Sequence, residues 1–434
     1  MKRLLITLTS YKFGLVLFFL ILLFFPLNLS KHFILNSSFV SGLLLDYLIP
    51  TIYVSDILLF LVACFLAVKL FVLHRKVSIS NKFKHLLYVL VGYLLVLFLR
   101  VENIQAFVYS LKTTLFLILV FYFSVFFSFK KTFKAFSLAL SITMFLEALL
   151  GIFQFFGRGS VFDNFLFFGE VPYSFNTLGI TRESYFGVMM VAPYATFPHP
   201  NVFGGFLVFA LLTTFYSLLK EKSAGLLFAN FQILSLVFGF FALLLTKSTS
   251  AFLALIFGFA ILLLLKIQGK KIVVRAALLV FILINFVSFE AFTSYRFNNT
   301  PSFFRRGDLI KSSSLMIRDN FLFGVGTASF TRKLEGYGGV RGIIRFVHPV
   351  HNIFLLVFSE LGLVGFLLFI LFLIKAYIHL ENSTTPLLIP ALFFSVLTLG
   401  VFDHYLLTIQ QGLFVFWLTL SLVLSTMNSH ETSS

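Results

Sequence analysis

Charged residues and cysteines are both scarce in this chain of 434 residues. Only 11% of the residues are charged, whereas 59% are hydrophobic, and the mean hydropathy is +1.03. Soluble globular proteins carry about 25% charged residues, so this composition excludes that class and indicates a polytopic membrane protein. The one cysteine, Cys64, rules out an intramolecular disulfide and a cysteine-rich metal site.

The formal net charge of +17 would suggest nucleic-acid binding in a soluble domain. Here the basic residues lie mainly between apolar spans, where membrane topology requires them, so no nucleic-acid partner is expected.

Apolar runs long enough to cross the bilayer predict an all-α integral membrane protein. The whole chain, 1–434, forms a single polytopic membrane domain in this interpretation, and Lys and Arg in alternate short loops predict that both termini are cytoplasmic. The predicted spans are twelve: 11–29, 53–73, 86–99, 106–128, 135–156, 202–219, 225–246, 250–266, 276–293, 351–374, 386–402 and 406–425.

Two connections on the outer side are long, at 157–201 and 294–350. Long polar loops of membrane proteins usually carry function. The second, between the ninth and tenth spans, contains nine Lys and Arg residues against three Asp and Glu residues. This excess indicates an anionic substrate, with headgroup phosphates as the alternative. Its apolar periodicity predicts a surface helix over 301–323, with Leu309 and Met316 opposite Arg306, Lys311 and Arg318.

The stretch from His348 to Gly365 begins where this polar loop meets an apolar span. At least one of its histidines, His348 or His351, should therefore lie at a membrane surface.

This stretch resembles the bacterial O-antigen ligase and polymerase superfamily of membrane glycosyltransferases. The ligase pattern is His, then Asn, Ser or Gln, nine residues, Gly, two residues, and Gly, Thr or Tyr. His351-Asn352, Gly362 and Gly365 fit it without a gap.

Three further stretches resemble the family in the same order. Residues 196–201 read T-F-P-H-P-N, residues 306–326 resemble an outer helix that ends in G-V-G, and residues 403–412 resemble the last outer connection. The chain departs from the family at Thr249 and Ala192, near which family members often have an Arg.

The resemblance implies that an acceptor hydroxyl attacks the anomeric carbon of a sugar carried by undecaprenyl pyrophosphate at the outer face of the cytoplasmic membrane. A hydroxyl is a poor nucleophile, so His351 is the candidate base. The leaving pyrophosphate needs fixed cations, with no metal and no cofactor. The candidates are Arg305, Arg306, Lys247 and Arg345.

Supporting roles are expected for seven residues, and each has a structural alternative. His351 itself could simply begin a membrane helix, and His348 is a weaker base candidate. Asn352 is expected to orient its neighbours, and Glu360 either faces a wet cavity or pairs with a cation.

His199 lies between two prolines, which indicates a rigid helix start with Asn201 as its cap. Asp403 and His404 occupy a short outer connection that could join the same cavity. Gly362 and Gly365 are interpreted as close-packing positions between helices.

The acceptor stays open at this point. It could be a lipid or core sugar in a ligase, a second glycan in a polymerase, or a protein hydroxyl in an oligosaccharyltransferase. A lipid-linked glycan flippase or other transporter would also have about twelve spans, but no internal symmetry is evident. A non-catalytic scaffold of envelope assembly is a third class.

Overall fold

The computed structural model describes residues 11–72, 80–126, 129–220, 225–293, 301–338, 346–383 and 385–428. Twelve apolar helices dominate this part of the chain, and ten of them are long enough to cross a membrane. The protein is therefore an all-α integral membrane protein. These helices are α1 (Tyr11–Phe24), α2 (Val54–Ala67), α3 (Asn81–Leu99), α4 (Ile104–Phe126), α5 (Phe129–Gly157), α6 (Pro200–Lys220), α7 (Leu226–Thr246), α8 (Thr249–Ile267), α9 (Lys270–Thr293), α12 (Ile353–Asn382), α13 (Leu388–Phe402) and α15 (Gln410–Asn428).

Shorter elements lie in the connections. Three further helices are α10 (Pro301–Asp319), which has 19 residues, and the one-turn helices α11 (Phe330–Lys333) and α14 (Tyr405–Thr408). Six short strands form three antiparallel pairs: β1 (Ser30–His32) with β4 (Thr51–Tyr53), β2 (Phe39–Val40) with β3 (Leu43–Leu44), and β5 (Arg182–Tyr185) with β6 (Val188–Val191).

Three helices form the centre of the bundle, and one of them, α13, is buried from Leu388 to Val401. The spanning segment of α15 is buried along its whole length, and that of α6 is 83% buried. Many outer helices instead expose large apolar side chains, as Phe286 of α9 does. This surface is what contact with lipid requires, because a helix that faces hydrocarbon gains nothing from polar side chains.

The long connections gather at one end of the bundle, which we call the loop-rich end. It comprises residues 25–53, 100–103, 158–199, 301–352 and 403–409, apart from positions outside the described ranges. The long loops predicted from the sequence are found here. A third long connection, residues 25–53, was not singled out from the sequence.

Helix α10 lies within the late loop and is amphipathic, as its periodicity predicts. Leu309 and Met316 are buried, whereas Lys311 and Arg318 are exposed. The helix ends at Asp319 and not at residue 323. After α10, residues 321–326 form backbone hydrogen bonds with α12 in place of helical ones.

Helix α12 is interrupted at Gly362, whose φ of 65° and ψ of −167° are not helical. The interruption leaves the N–H groups of Leu363 and Val364 without intrahelical partners. They donate instead to the carbonyls of Phe321 and Leu322, at 2.8 and 3.3 Å. The interpretation of Gly362 as a helix-packing position was therefore incomplete, since this glycine is where a loop crosses the helix.

The other side of the same crossing is equally well paired. Val325 and Gly326 donate their N–H groups to the carbonyls of Ser359 and Glu360, at 2.8 and 3.0 Å. Gly324 lies between these contacts with φ of 68°, and a Cβ there would overlap the Glu360 carbonyl. The two glycine motifs of the sequence, 324–326 and 362–365, are thus partners in one backbone crossing.

A buried ion pair joins three helices beneath the loop-rich end. The Nζ atom of Lys112 lies 2.9 Å from an Asp56 carboxylate oxygen, and Gln410 donates to the other oxygen at 2.6 Å. Charges at this depth persist because they are paired and hydrogen-bonded.

We predict that Gly324→Ala destabilises the protein strongly. The left-handed backbone conformation alone costs a non-glycine residue about 1–3 kcal/mol of unfolding free energy, and overlap with Glu360 adds to this. Thermal unfolding in detergent would measure the change. Gly336→Ala is the matched control, because the space around a Cβ there is open. Equal melting temperatures for the two variants would contradict this account of the crossing.

Candidate active site

Six polar side chains from four separate segments converge at the loop-rich end. We call this group the histidine cluster. It consists of Tyr47, His199, His348, His351, Asp403 and His404.

His351, Asp403 and His404 form the centre of the cluster. One ligand-type atom from each of the three lies within 4.8 Å of the others. The rings of His351 and His404 are 5.0 Å apart between centroids and nearly perpendicular, and His404 Nε2 is 3.9 Å from an Asp403 oxygen. Asp403 and His404 are almost fully buried, whereas His351 is partly exposed.

Asp403 directly follows α13 and is held by two donors. The side-chain amide of Asn201 donates to Asp403 Oδ2 at 3.1 Å, and the backbone N–H of His404 donates to Oδ1 at 2.8 Å. The T-F-P-H-P-N stretch before α6 therefore contributes to the site by orienting a carboxylate from the other end of the chain. Asn201 does not cap α6, as its position in the sequence had suggested.

The cap of α6 is His199. Its Nδ1 accepts the backbone N–H of Asn201 at 3.1 Å, and its Nε2 lies 3.3 Å from the Thr181 hydroxyl. Both nitrogens of His199 are thus engaged, which gives this ring a positioning role.

Tyr47 is a cluster member that sequence reasoning missed. Its hydroxyl is 3.1 Å from His348 Nδ1, and its ring centroid is 5.4 Å from that of His404. One signal could have found it. The connection between the predicted spans 11–29 and 53–73 is nearly as rich in polar residues as the long loops at 157–201 and 294–350.

The start of α12 places His351 at the cluster. Asn352 is the N-cap: its Oδ1 accepts the N–H groups of Phe354 and Leu355 at 2.9 and 3.0 Å, and its Nδ2 donates to Val401 at 3.2 Å. His351 immediately precedes this cap. Its Nδ1 is buried and has no hydrogen-bond partner among the residues that the structure describes.

Two arginines of α10 lie beside the cluster. Arg306 is half-buried and its Nη1 donates to the Phe402 carbonyl at 3.4 Å, next to Asp403. The expected placement of Arg306 on the exposed face was therefore wrong. Arg305 is exposed and lies 4.8 Å from the ring centroid of Phe346, which in turn stacks on His348 at 4.2 Å.

Lys247, a third cation candidate, contacts a different part of the loop-rich end. Lys247 donates to the Ser184 carbonyl and lies 4.5 Å from the Tyr185 ring centroid, so it holds the hairpin of β5 and β6. Arg345 lies outside the described residues.

Several other basic residues of the late loop have protein partners. Arg318 pairs with Asp319 at 2.8 Å, and Lys333 lies 3.3 Å from Glu102. Arg332 donates to the Ser37 carbonyl at 2.6 Å. These contacts account for three of the nine basic residues that had suggested an anionic ligand, and among the described residues of this loop Arg305 and Arg306 lie beside the cluster.

Glu360 of α12 faces a cleft and pairs with no cation in the described contacts. Its carboxyl oxygens accept the N–H groups of Ala328 and Phe330, both at 3.1 Å. It thereby positions the start of α11, and it also lines a cleft beside the cluster.

One comparison with known proteins concerns the part of the chain that carries His348 and His351. A family model described as O-antigen ligase, Wzy_C, matches residues 234–370. This match supports the O-antigen ligase superfamily for residues 234–370. Members of that family are membrane glycosyltransferase-like ligases and polymerases, which supports an enzyme of glycan transfer in general. No curated protein sequence matches the chain.

The O-antigen ligase domain covers only part of the cluster. His348, His351 and both arginines of α10 lie within the matched residues, whereas Tyr47, His199 and the pair Asp403-His404 lie outside. Helices α6 and α13 to α15 therefore complete a site that the ligase domain begins.

The members of the histidine cluster differ in charge at neutral pH. Burial lowers the pKa of His351 well below its usual value, with Asp403 opposing the shift. Burial likewise lowers the pKa of His348 and of His404 to about 4. Burial alone would raise the pKa of Asp403, but His351, His404 and Arg306 outweigh it and hold that pKa below its usual range. At neutral pH the site therefore combines an ionised carboxylate with neutral imidazoles that can accept protons.

The same atoms offer a ligand set for a divalent cation. His351, Asp403 and His404 supply imidazole and carboxylate groups, which zinc-type ions accept. Both Asp403 oxygens already accept protein donors. The geometry thus accommodates either an ion or a proton relay, and the expectation that the enzyme needs no metal stays a prediction.

We predict that the folded protein loses stability as pH falls from about 6.5 towards about 4. The unfolded chain binds protons to His348 and His404 near 6.5 whereas the folded chain binds them only near 4, so the unfolded state gains protons first. The stabilisation that His348 and His404 contribute to the folded state is fully present above about pH 6.5, the pKa of the unfolded chain. Melting temperatures at neutral pH and at about pH 5 would test this.

Replacement His348→Gln should reduce the fall in melting temperature, because one of the buried imidazoles is removed. His85→Gln is the matched control, since His85 is exposed on α3. An unchanged fall in the His348 variant, or an equal reduction in the control, would show that other groups are responsible.

Proposed function

We propose that this protein transfers a glycan from an undecaprenyl-pyrophosphate-linked donor to an acceptor hydroxyl. We assign the reaction, and with it the loop-rich end, to the outer face of the cytoplasmic membrane, with both termini on the cytoplasmic side. The positive-inside pattern of the short loops supports this orientation.

The observation that carries the proposal is the convergence of His351, Asp403 and Arg306. His351 offers a ring nitrogen without a described partner, Asp403 lies beside it, and Arg306 reaches the carbonyl next to Asp403. A base, a carboxylate that stabilises its protonated form and a fixed cation are the groups that glycosyl transfer from a pyrophosphate requires.

In the proposed reaction, the acceptor oxygen forms a bond to the anomeric carbon while the bond from that carbon to the pyrophosphate oxygen breaks. The electron pair of the broken bond leaves on the pyrophosphate. The acceptor proton passes to His351, and the negative charge of Asp403 stabilises the resulting imidazolium. General base catalysis by a well-placed group raises the rate about a hundredfold to ten-thousandfold.

The negative charge that develops on the pyrophosphate is stabilised mainly by Arg306 in this proposal, and Arg305 is the second candidate. A guanidinium offers a planar pair of donors to phosphate oxygens. Lys247 is less well placed because it holds the hairpin of β5 and β6. Arg345, in the same loop, stays a candidate. The proposed chemistry uses neither a metal ion nor an organic cofactor.

The acceptor class divides this proposal into three versions. A lipid or core sugar as acceptor would make the protein an O-antigen ligase of lipopolysaccharide biosynthesis. A second glycan would make it a polymerase, and a protein hydroxyl would make it an oligosaccharyltransferase. Purified protein, a synthetic polyprenyl-pyrophosphate glycan and a mixed acceptor panel distinguish them by which acceptor gains mass.

We predict that His351→Ala lowers the rate of glycan transfer by at least about a hundredfold while the donor still binds, because the base is lost and the cations are not. The release of polyprenyl pyrophosphate by purified protein in detergent measures the rate.

His85→Ala is the matched control and should retain full activity. Treatment with a chelator should leave the wild-type rate unchanged. Full activity in the His351 variant would remove it as the base. Donor binding without release in any variant, wild type included, would favour a lipid-linked glycan flippase.

We predict a graded effect at Arg306. Arg306→Ala should raise the donor KM more than Arg306→Lys, because lysine keeps the charge but loses the paired donors. Arg318→Ala on the same helix is the control, since Arg318 is exposed and pairs with Asp319. Equal losses in the two Arg306 variants, or none, would move the phosphate site to another part of the loop.

A further inference from the structure

A cleft lies beside the histidine cluster, between α3, α4 and the first two turns of α12. Its enclosed space is small, about 40 Å³, and it continues into an open mouth. The polar and aromatic groups used in the argument below are Tyr47, Tyr93, Gln105, Tyr109, Glu360 and Thr408.

The cleft adjoins the histidines through shared side chains. Tyr47 lines the cleft and its hydroxyl is 3.1 Å from His348 Nδ1. Thr408 also lines it and its hydroxyl is 2.7 Å from His404 Nδ1. Pro349, between the two histidines of the late loop, completes this wall. A molecule in the cleft would therefore have one end at the cluster.

The lining combines aromatic rings with hydrogen-bonding groups. Tyr47, Tyr93 and Tyr109 present ring faces and hydroxyls together. Gln105 Oε1 is buried and has no hydrogen-bond partner among the described residues, so a ligand hydroxyl that donates to it would satisfy an otherwise costly group. A sugar ring offers this combination, with an apolar C–H face and hydroxyl donors around its edge.

The charge of the cleft separates it from the pyrophosphate site. None of its described lining residues is a lysine or arginine, whereas Glu360 contributes a carboxyl group. A pyrophosphate would meet no cation there, and a polyprenyl chain would leave the buried Oε1 of Gln105 without a hydrogen-bond donor. A neutral glycan meets neither penalty.

We infer that this cleft binds the acceptor, as the uncharged sugar end of a glycan, and presents its hydroxyl to His351. The inference rests on the proposed glycan transfer, and it favours a carbohydrate acceptor over a protein hydroxyl. Donor and acceptor then approach the histidine cluster from two sides that differ in charge, the arginines of α10 on one and the tyrosine-lined cleft on the other.

Replacement Gln105→Leu tests the inference by activity. The acceptor KM should rise about fivefold to tenfold, as expected for one lost hydrogen bond, while the donor KM and the slow release of polyprenyl pyrophosphate to water stay unchanged. Gln268→Leu is the matched control, because Gln268 is exposed at the opposite end of the bundle. A raised donor KM with an unchanged acceptor KM would overturn the assignment.

A labelling experiment tests the cleft without depending on catalysis. In a Cys64→Ala background, Gln105→Cys is treated with a small thiol reagent in the presence of methyl glycosides of glucose, galactose, mannose and N-acetylglucosamine. At least one glycoside should slow labelling of Gln105→Cys and leave Gln268→Cys unaffected.

The two experiments fail in distinguishable ways. If wild type releases no polyprenyl pyrophosphate, the proposed function is wrong, and protection of Gln105→Cys still identifies a sugar site. If the wild type is active but no glycoside protects the cleft, or both cysteines are protected equally, the acceptor assignment is wrong.

Discussion

Backbone groups at membrane depth must find protein partners, and this requirement governs the loop-rich end. Helix α12 breaks at Gly362, and the loop segment 321–326 supplies the carbonyl and N–H groups that the break leaves open. These two backbone segments lie so close together that there is no room for a Cβ at Gly324 or at Gly362. The late loop is thus attached to the helix that carries His351, and its position over the bundle is fixed.

This attachment explains how distant residues form one site. Helix α10 precedes the crossing and brings Arg306 to the carbonyl beside Asp403. The start of α12 follows the loop and presents His351 to the same carboxylate. Asn201 then connects Asp403 to the start of α6. Each contact is modest by itself, but together they surround one buried carboxylate with donors and imidazoles, which keeps it ionised and leaves the histidines neutral.

The two sides of the histidine cluster differ in charge, and that difference suits a transfer between two substrates. Arginines lie on the side of α10, whereas tyrosines and Glu360 line the cleft between α3, α4 and α12. An anionic donor and a neutral acceptor would each be disfavoured on the other's side.

Local properties of the sequence determined the twelve apolar helices, of which ten are long enough to cross a membrane, the amphipathic α10 and the position of His351 just before a span. They could do so because hydropathy and periodicity are summed along neighbouring residues. Tertiary structure alone decided that Tyr47, Asn201 and Asp403 meet, and that Arg306 turns inward while Lys247 holds a hairpin. It also decided that Gly362 interrupts α12 and packs against the late loop. Contacts between segments far apart in the chain depend on how helices cross, and the residue types at their ends do not contain that information.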